Sequence, residues 1–592
     1  EEEDSSSYDE LYQFFKEREK ERNDVREASR WDLEIKEAAA EDTSGAQFGQ
    51  QDYGSQKDYA ETNKQEAGVE EADIIKNDGR YLYQIIYNQD YSQSVQIVDT
   101  QNELKETARI DGFDNIHELY LWGDTLVIFE SCWAETQSEI EGEADSWNSG
   151  MEICTDVIGG ISFQKVYIYN IADREYPKEE HVFTMRGSYL DSRLTDGYLY
   201  CFLNYNVGNL GTREQYENYV PVLEGKAIDA SSIYLPKEAQ DSAYMVIASI
   251  DLRTPTELKD TKAMVSAADR VYVTTSNIYV ADSIYSEETE GEGTFSNKTN
   301  IVRFSYESGV IQKEAEGSVK GNLLDDMAIN ESNGYLRLAV TVDSYQKQEV
   351  IDDISGSVLG YETINSTQNN SLYVLDENLE VVGKIEGLAE DEQIYSARFM
   401  GDTGYFVTFR RTDPLFSVDL SDPKNPKVLG ELKISGFSEY LHFYSEDLLL
   451  GIGMEADEET GRTQGMKLSM FDISNPADVT EQDKYNLSEY NYSESQYDYK
   501  AVMIDTEKNL FGFYAEGYNE ETDEMKEDYL LFTYEDGAFR QKMKIACDRD
   551  ANEVYANVRG TYIGDVFYLM YGDGRIEAYS LLDGSMIGKL EK

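Results

Sequence analysis

One passage recurs at least eight times along this 592-residue chain: a short apolar strand, a Gly-Asp or Asp-Gly turn, a stronger apolar strand, then a third strand ending in Asp. Asp78-Gly79 precedes Arg80–Ile86, Gly123-Asp124 precedes Thr125–Phe129, and Asp196-Gly197 precedes Tyr198–Leu203. Gly401-Asp402 and Gly564-Asp565 introduce Thr403–Phe409 and Val566–Met570 in the same way. A unit of this size cannot bury its apolar face alone and must stack on copies of itself. The expected fold is therefore all-β, a β-propeller of four-stranded antiparallel blades. Units start near residues 70, 116, 189, 266, 325, 394, 439, 498 and 554. That count gives nine, although eight is the safer geometry because propellers usually carry about four to eight blades.

In the first unit the strands a to d read as Asp73–Asn77, Tyr81–Tyr87, Val95–Asp99 and Leu104–Ile110. Later c strands align at Lys165–Asn170, Met245–Asp251, Ser371–Asp376, Phe416–Asp419, Leu468–Asp472 and Arg575–Tyr579. Three of them run into a proline turn, at Pro255, Pro423 and Pro476, where proline stops the strand and presets the turn. The a–b and c–d turns are tight. The b–c connections are long, at 132–163, 204–243, 283–299, 343–369, 455–466 and 516–527, and read as loops. In a propeller these share a face with the d–a segments, and one-sided insertions in a repeat array mark a working surface.

Ahead of the repeats, residues 1–34 form a helical segment, with a helix over 5–30 opened by a Ser7/Glu10 capping box and carrying a brief Leu11, Phe14, Phe15 stripe. So short a stripe predicts a helix the core can do without. Residues 35–60 read as a linker and 61–592 as the propeller.

Asp and Glu number 117 against 52 Lys and Arg, a formal charge of −65. That field repels nucleic acid and anionic membranes and favours cationic partners. No run of 18 apolar residues exists, so this sequence does not span a membrane. It opens Glu1-Glu2-Glu3-Asp4 without Met, which suggests a leader upstream in the natural protein. Three histidines and four cysteines form no CxxC, HExxH or EF-hand pattern. The acidic stretches Glu139–Asp145 and Glu455–Glu459 also lack the calcium-loop spacing. No metal or other cofactor is expected; calcium stays open without a motif for it. Cys132 and Cys154 flank one acidic insertion and are expected to be bonded, closing a loop worth about 3 kcal/mol. Arg193 and Arg398 occupy equivalent places in two a strands, which line the channel, and are the candidate binding residues for an anionic ligand. Pairing with a neighbouring blade's carboxylate competes with that reading. No phosphate loop, nucleophile elbow or triad is present, so no catalytic residue can be named.

Residues 62–83, Thr-Asn-Lys-Gln-Glu-Ala-Gly-Val-Glu-Glu-Ala-Asp-Ile-Ile-Lys-Asn-Asp-Gly-Arg-Tyr-Leu-Tyr, resemble the opening signature of the bacterial and archaeal secreted proteins with a C-terminal β-propeller domain distantly related to WD40 repeats. That signature usually reads TNxQVxGVDEADIVKxDGxYIY; Glu66 here replaces a hydrophobe and Glu70 an Asp. A second block, from Ile394 to His442, is equally similar. The resemblance spans roughly residues 61–590. It implies export, normally with a leader or membrane anchor upstream, and supplies no activity. The function expected is a secreted or cell-surface, non-enzymatic, monomeric propeller that binds a protein or glycan through its b–c face. A carbohydrate-active hydrolase or lyase with channel-mouth carboxylates, and a calcium-dependent adhesion module, are the alternatives.

Overall fold

The computed structural model describes residues 7–29, 57–101, 103–134, 161–208, 210–287, 293–351, 358–409, 413–457, 460–519, 524–547 and 557–592. The strands run as successive antiparallel meanders over 75–113, 116–186, 188–265, 270–320, 329–388, 393–434, 437–487, 503–546 and 558–590. Five of the sheets have four strands in sequence order, and the second and third meanders add short strands from insertions. The fourth and fifth are joined into one sheet where Thr294–Ser296 pairs with Ser344–Gln346.

The repeated Asp and the repeated Gly-Asp act together. At the end of third strands, Asp99, Asn170, Asp251, Asp376, Asp419 and Asp472 each accept the backbone N–H two residues on, at 2.9–3.0 Å. The next N–H often reaches the a–b turn: Ile171, Leu252, Leu420, Ile473 and Leu581 donate to the carbonyls of Asp124, Gly197, Asp402, Asp447 and Asp565. One motif thus seals both turns at one end of the sheet. Gly197 sits at φ +75°, and a Cβ there would lie 2.6 Å from the Trp122 ring of the preceding meander. Gly197→Ala is expected to lower stability by about 1–3 kcal/mol. Gly334→Ala, also at positive φ (+78°) but in open space, should cost only the backbone part. Equal melting shifts for the two would refute the packing contribution at Trp122.

Strand alternation closes the ring. In the first meander Tyr83, Ile85, Val95 and Ile97 pack on Ile116, Leu119, Leu126 and Ile128 of the second. Their neighbours Leu82 and Val98 point the other way, onto Tyr568, Met570, Ile576 and Ala578 of the last meander. The same two-sided use of each strand links the meanders between: Leu199, Cys201 and Leu203 face the second, while Tyr200 and Phe202 face the fourth. The last sheet also meets the first through Tyr87 N–H to Gly572 O, 2.7 Å. Among the described residues, the apolar faces of the remaining sheets likewise pack on their neighbours along this circuit.

Two expectations need correction. Most b–c connections are not loops but strand extensions: Asn277–Glu287 with Thr294–Glu307, Tyr335–Ile351 with Val358–Leu375, Leu448–Ala456 with Thr463–Asp472, and Leu510–Asn519 with Glu524–Glu535. Their Thr, Tyr, Ser and Asn content suits a pleated, half-exposed ribbon, and polarity alone does not make a loop. In addition, helix α1 (Tyr8–Ser29) is anchored. Its capping box forms, with Glu10 N–H to Ser7 Oγ at 3.2 Å and Ser7 N–H to Glu10 Oε2 at 2.8 Å. Leu11 and Phe15 are buried among Tyr205 and Tyr244 on strands of the third meander and Leu210 and Tyr219 in its insertion, and Tyr8 donates to Ile228 O. Residues 30–34 of the expected helical segment and 35–56 of the expected linker lie outside the described residues, and Ala60 already bonds into the ring through Tyr562 O.

Candidate functional site

Residues 57–74 cross the centre of the ring, where the first strands of the meanders converge. Gly564 N–H donates to Asp58 O, and Tyr59 bridges to Ile563 of the last meander. Asn63 reaches Tyr440 OH at 2.9 Å and Tyr499 O at 3.1 Å. Gln65 donates to Asp326 O and Tyr272 OH to Glu66. Glu70 then exchanges two backbone bonds with Leu194, and Asp73 two with Leu119. A single segment therefore ties together strands from most of the circuit. The recurring signature from Thr62 to Tyr83 is this axial strap plus the first two strands, and the Gly79 turn is shaped by it: a Cβ there would lie 2.8 Å from the Tyr59 ring.

The strap is acidic, and basic side chains meet it. Arg193 is buried on the strand Ser188–Thr195; it donates to Asp191 and to Ser192 O, with Glu71 of the strap 3.9 Å from its Nε. Burial alone would lower its pKa, yet Asp191 and Glu71 keep it well above the usual arginine value. Lys500 lies 2.7 Å from Glu118, which also accepts from Tyr189 OH. Burial opposes the charge on Glu118, but Lys500 holds that carboxyl down at about 2. Arg559 pairs with Glu494 and, at 3.0 Å, with Asp498. Lys76 donates to Thr62 Oγ1 and Glu71 O, and burial lowers its amine to about 8. A cavity of about 370 Å³ opens beside the strap, lined in part by Lys57, Thr62, Glu70, Lys76, Tyr120 and Lys500.

Of the residues singled out in the sequence, Arg193 and Arg398 do occupy matching places, each paired across the strands with a tyrosine, Tyr200 and Tyr405. Both are buried. The carboxylates nearest Arg193 come from its own strand and from the strap rather than from a neighbouring sheet. Arg398 donates to Ala397 O, faces the Tyr440 ring at 5.7 Å, and burial lowers it to about 10. Cys132 is half-buried on the strand Thr125–Ala134, and its expected partner Cys154 lies outside the described residues. Among the described residues no group of His, Cys, Asp and Glu side chains could hold a metal ion, and no helix is long and apolar enough to cross a membrane. Glu71, Asp191, Glu118, Lys500 and Arg559 were not singled out in the sequence. The run of charges within the signature was the available signal for Glu71; the others come together only through the ring.

These buried groups set a pH dependence. Burial pushes Asp73 and Asp325 up to about 6, and Glu66 and Glu439 up to about 7. The folded chain therefore holds protons that the unfolded chain releases near pH 4, so stability falls as pH rises from about 4 to 7. Glu118 acts oppositely, but its contribution is lost only below about pH 4. Buried His442, lowered to about 3, and His117, also lowered by burial, gain stability as pH rises to about 6.5 and offset part of the fall from the four carboxyls. Unfolding free energy should be greater at pH 5 than at pH 7.5, on the order of a few kcal/mol. Urea titrations in high salt, which screens the surface charge, check it; equal midpoints would refute it.

Successive antiparallel meanders stacked face to face and closed around an axial strap define a β-propeller. The chain belongs to the beta propeller domain family, whose profile matches residues 59–583. It is 30% identical to an uncharacterised protein of Archaeoglobus fulgidus over 90% of this chain and 84% of that one. A second uncharacterised protein, from Methanocaldococcus jannaschii, is 28% identical over 76% and 73%. Among solved structures, an acylaminoacyl peptidase of Pyrococcus horikoshii is similar over 78% of this chain and 57% of its own length, at 8% identity and a TM-score of 0.29. The propeller domain of Myceliophteria thermophila Cps50 (Swd1) is similar over 45% and 86%, at 9% identity and a TM-score of 0.22. At these scores neither neighbour informs function.

Proposed function

We propose that the protein is an extracytoplasmic, nine-bladed, non-enzymatic binding platform that engages a macromolecular ligand on the face carrying its b–c hairpins and d–a segments. The nine meanders support the blade number. The observation that carries the reading is one-sidedness. Eight described aromatic side chains stand out in water, and seven of them, Tyr91, Trp133, Tyr216, Tyr285, Tyr492, Tyr497 and Tyr518, lie on that end of the strands. Only Tyr176 is on the other. Exposed aromatics supply contact area at low entropic cost and are enriched in interfaces. Tyr492 and Tyr497 stack at 6.0 Å beside one another in a d–a segment. Against the rival hydrolase reading, Glu71 of the strap and Asp191 and Asp326 beside it are buried, and Glu70, the more exposed carboxylate in the cavity lining, is held in an ion pair with Lys64 at 2.8 Å.

The test is a screen of the immobilised chain against a glycan array and a panel of extracellular proteins. A retained ligand that Tyr492→Ala/Tyr497→Ala/Tyr518→Ala releases supports the platform. Release of reducing ends from a polysaccharide, abolished by Glu70→Gln in a variant that keeps the parent melting curve, would replace it with the enzyme, and fractionation of the producing cells tests the location.

A further inference from the structure

The longest hairpin leaves the ring and ends with an open strand edge. Tyr335–Ile351 and Val358–Leu375 pair from Leu336–Leu375 out to Ile351–Val358. The fourth strand of that meander, Val381–Leu388, covers only the root, from Asn370 to Leu375, and Asp391 N–H takes Gln368 O. Among the described residues nothing pairs with the outer edge of residues 358–367, and side chains 362–367 are exposed, Ile364 by 49%. Two register shifts interrupt this ribbon without covering it.

Such an edge is normally guarded by lysine, proline or a covering element. Residues 358–367 contain neither Lys nor Pro, and 363–375 carry no charged side chain at all in a chain that is 29% charged. A two-stranded ribbon is marginal in water, and a third strand would complete it. The opposite edge already takes one: Thr294–Ser296 from the adjacent meander pairs with Ser344–Gln346, and Lys347 N–H donates to Gly293 O at 2.8 Å. The ribbon thus accepts a foreign strand on one side and offers the same backbone row on the other.

We propose that the outer edge of Val358–Thr367 is a docking site for an extended, positively charged segment of a partner protein, added as a further antiparallel strand. The inference rests on the binding-platform reading and names its partner class. A ladder of N–H and C=O groups recognises a polypeptide main chain, which a glycan lacks. The charge selects the partner: a second copy brings another −65, whereas a basic segment is drawn in and can meet the exposed Glu362.

The probe is a labelled peptide of about ten residues alternating Lys and Val, with the same peptide N-methylated at alternate amides and a Glu/Val counterpart. On the full chain the Lys/Val peptide should bind, and the N-methylated form, equal in charge but unable to pair, should bind about tenfold or more weakly. Replacing 348–362 by an Asn-Gly turn should abolish binding while leaving the melting curve of the ring in place. Equal binding of the N-methylated peptide, full binding to the shortened arm, no binding of any probe, or dimerisation of the chain through this edge would each overturn the proposal. Tyr492→Ala/Tyr497→Ala should leave the peptide bound. If the arm fails while a ligand is still lost in the aromatic variants, the platform stands and only the partner class falls.

Discussion

Arg193→Met should destabilise the ring by about 3–5 kcal/mol, because it strands carboxylates that cannot reach water. The Arg193 side chain is 2% exposed, that of Glu71 0% and that of Asp191 9%. With the guanidinium gone, Glu71 and Asp191 must either stay charged without a partner or take up protons. The variant should therefore lose more stability at pH 7.5 than at pH 5, a steeper dependence than the parent shows. Arg193→Met/Asp191→Asn should recover part of the loss, since removing both ends of a buried pair is far milder than removing one. Chemical denaturation at the two pH values decides it. A loss below about 1 kcal/mol at both would mean that the pair contributes no more than a surface one.

Deleting residues 558–592 should abolish cooperative unfolding of the whole ring rather than remove one sheet. The last meander covers Tyr529, Leu531 and Met543 of the eighth on one side and Leu82 and Val98 of the first on the other. Its loss wets both faces and releases the strap at Tyr562 and Ile563. For comparison, Leu82→Ala, a single fully buried truncation on that seam, should cost about 2–5 kcal/mol and keep one transition. Circular dichroism with a dye for exposed apolar surface reads both. A cooperative transition near the parent midpoint after the deletion would refute closure through this seam.

The sequence by itself determined the repeat. Period-two apolar runs set the strands, Asp at the third-strand end and Gly-Asp before the second set the turns, and both are local chemistry that one unit can express alone. The second strand Tyr81–Tyr87 matches the residues read for it, and the unit starts lie within a few residues of the observed first strands. The b–c ribbons were misread because a polar, exposed hairpin differs from a loop only in its cross-strand partner. The anchoring of α1 was missed for a related reason: Leu11 and Phe15 are two residues of a short stripe, and their burial depends on an insertion some two hundred residues away. The axial strap, the pairing of its Glu71 with Arg193, and the grouping of Lys500 with Glu118 were decided by tertiary structure alone. Coulombic pairing requires only a few ångströms of separation, and the ring brings residues hundreds of positions apart to one axis. A charge in a sequence carries no mark of the partner it will meet there.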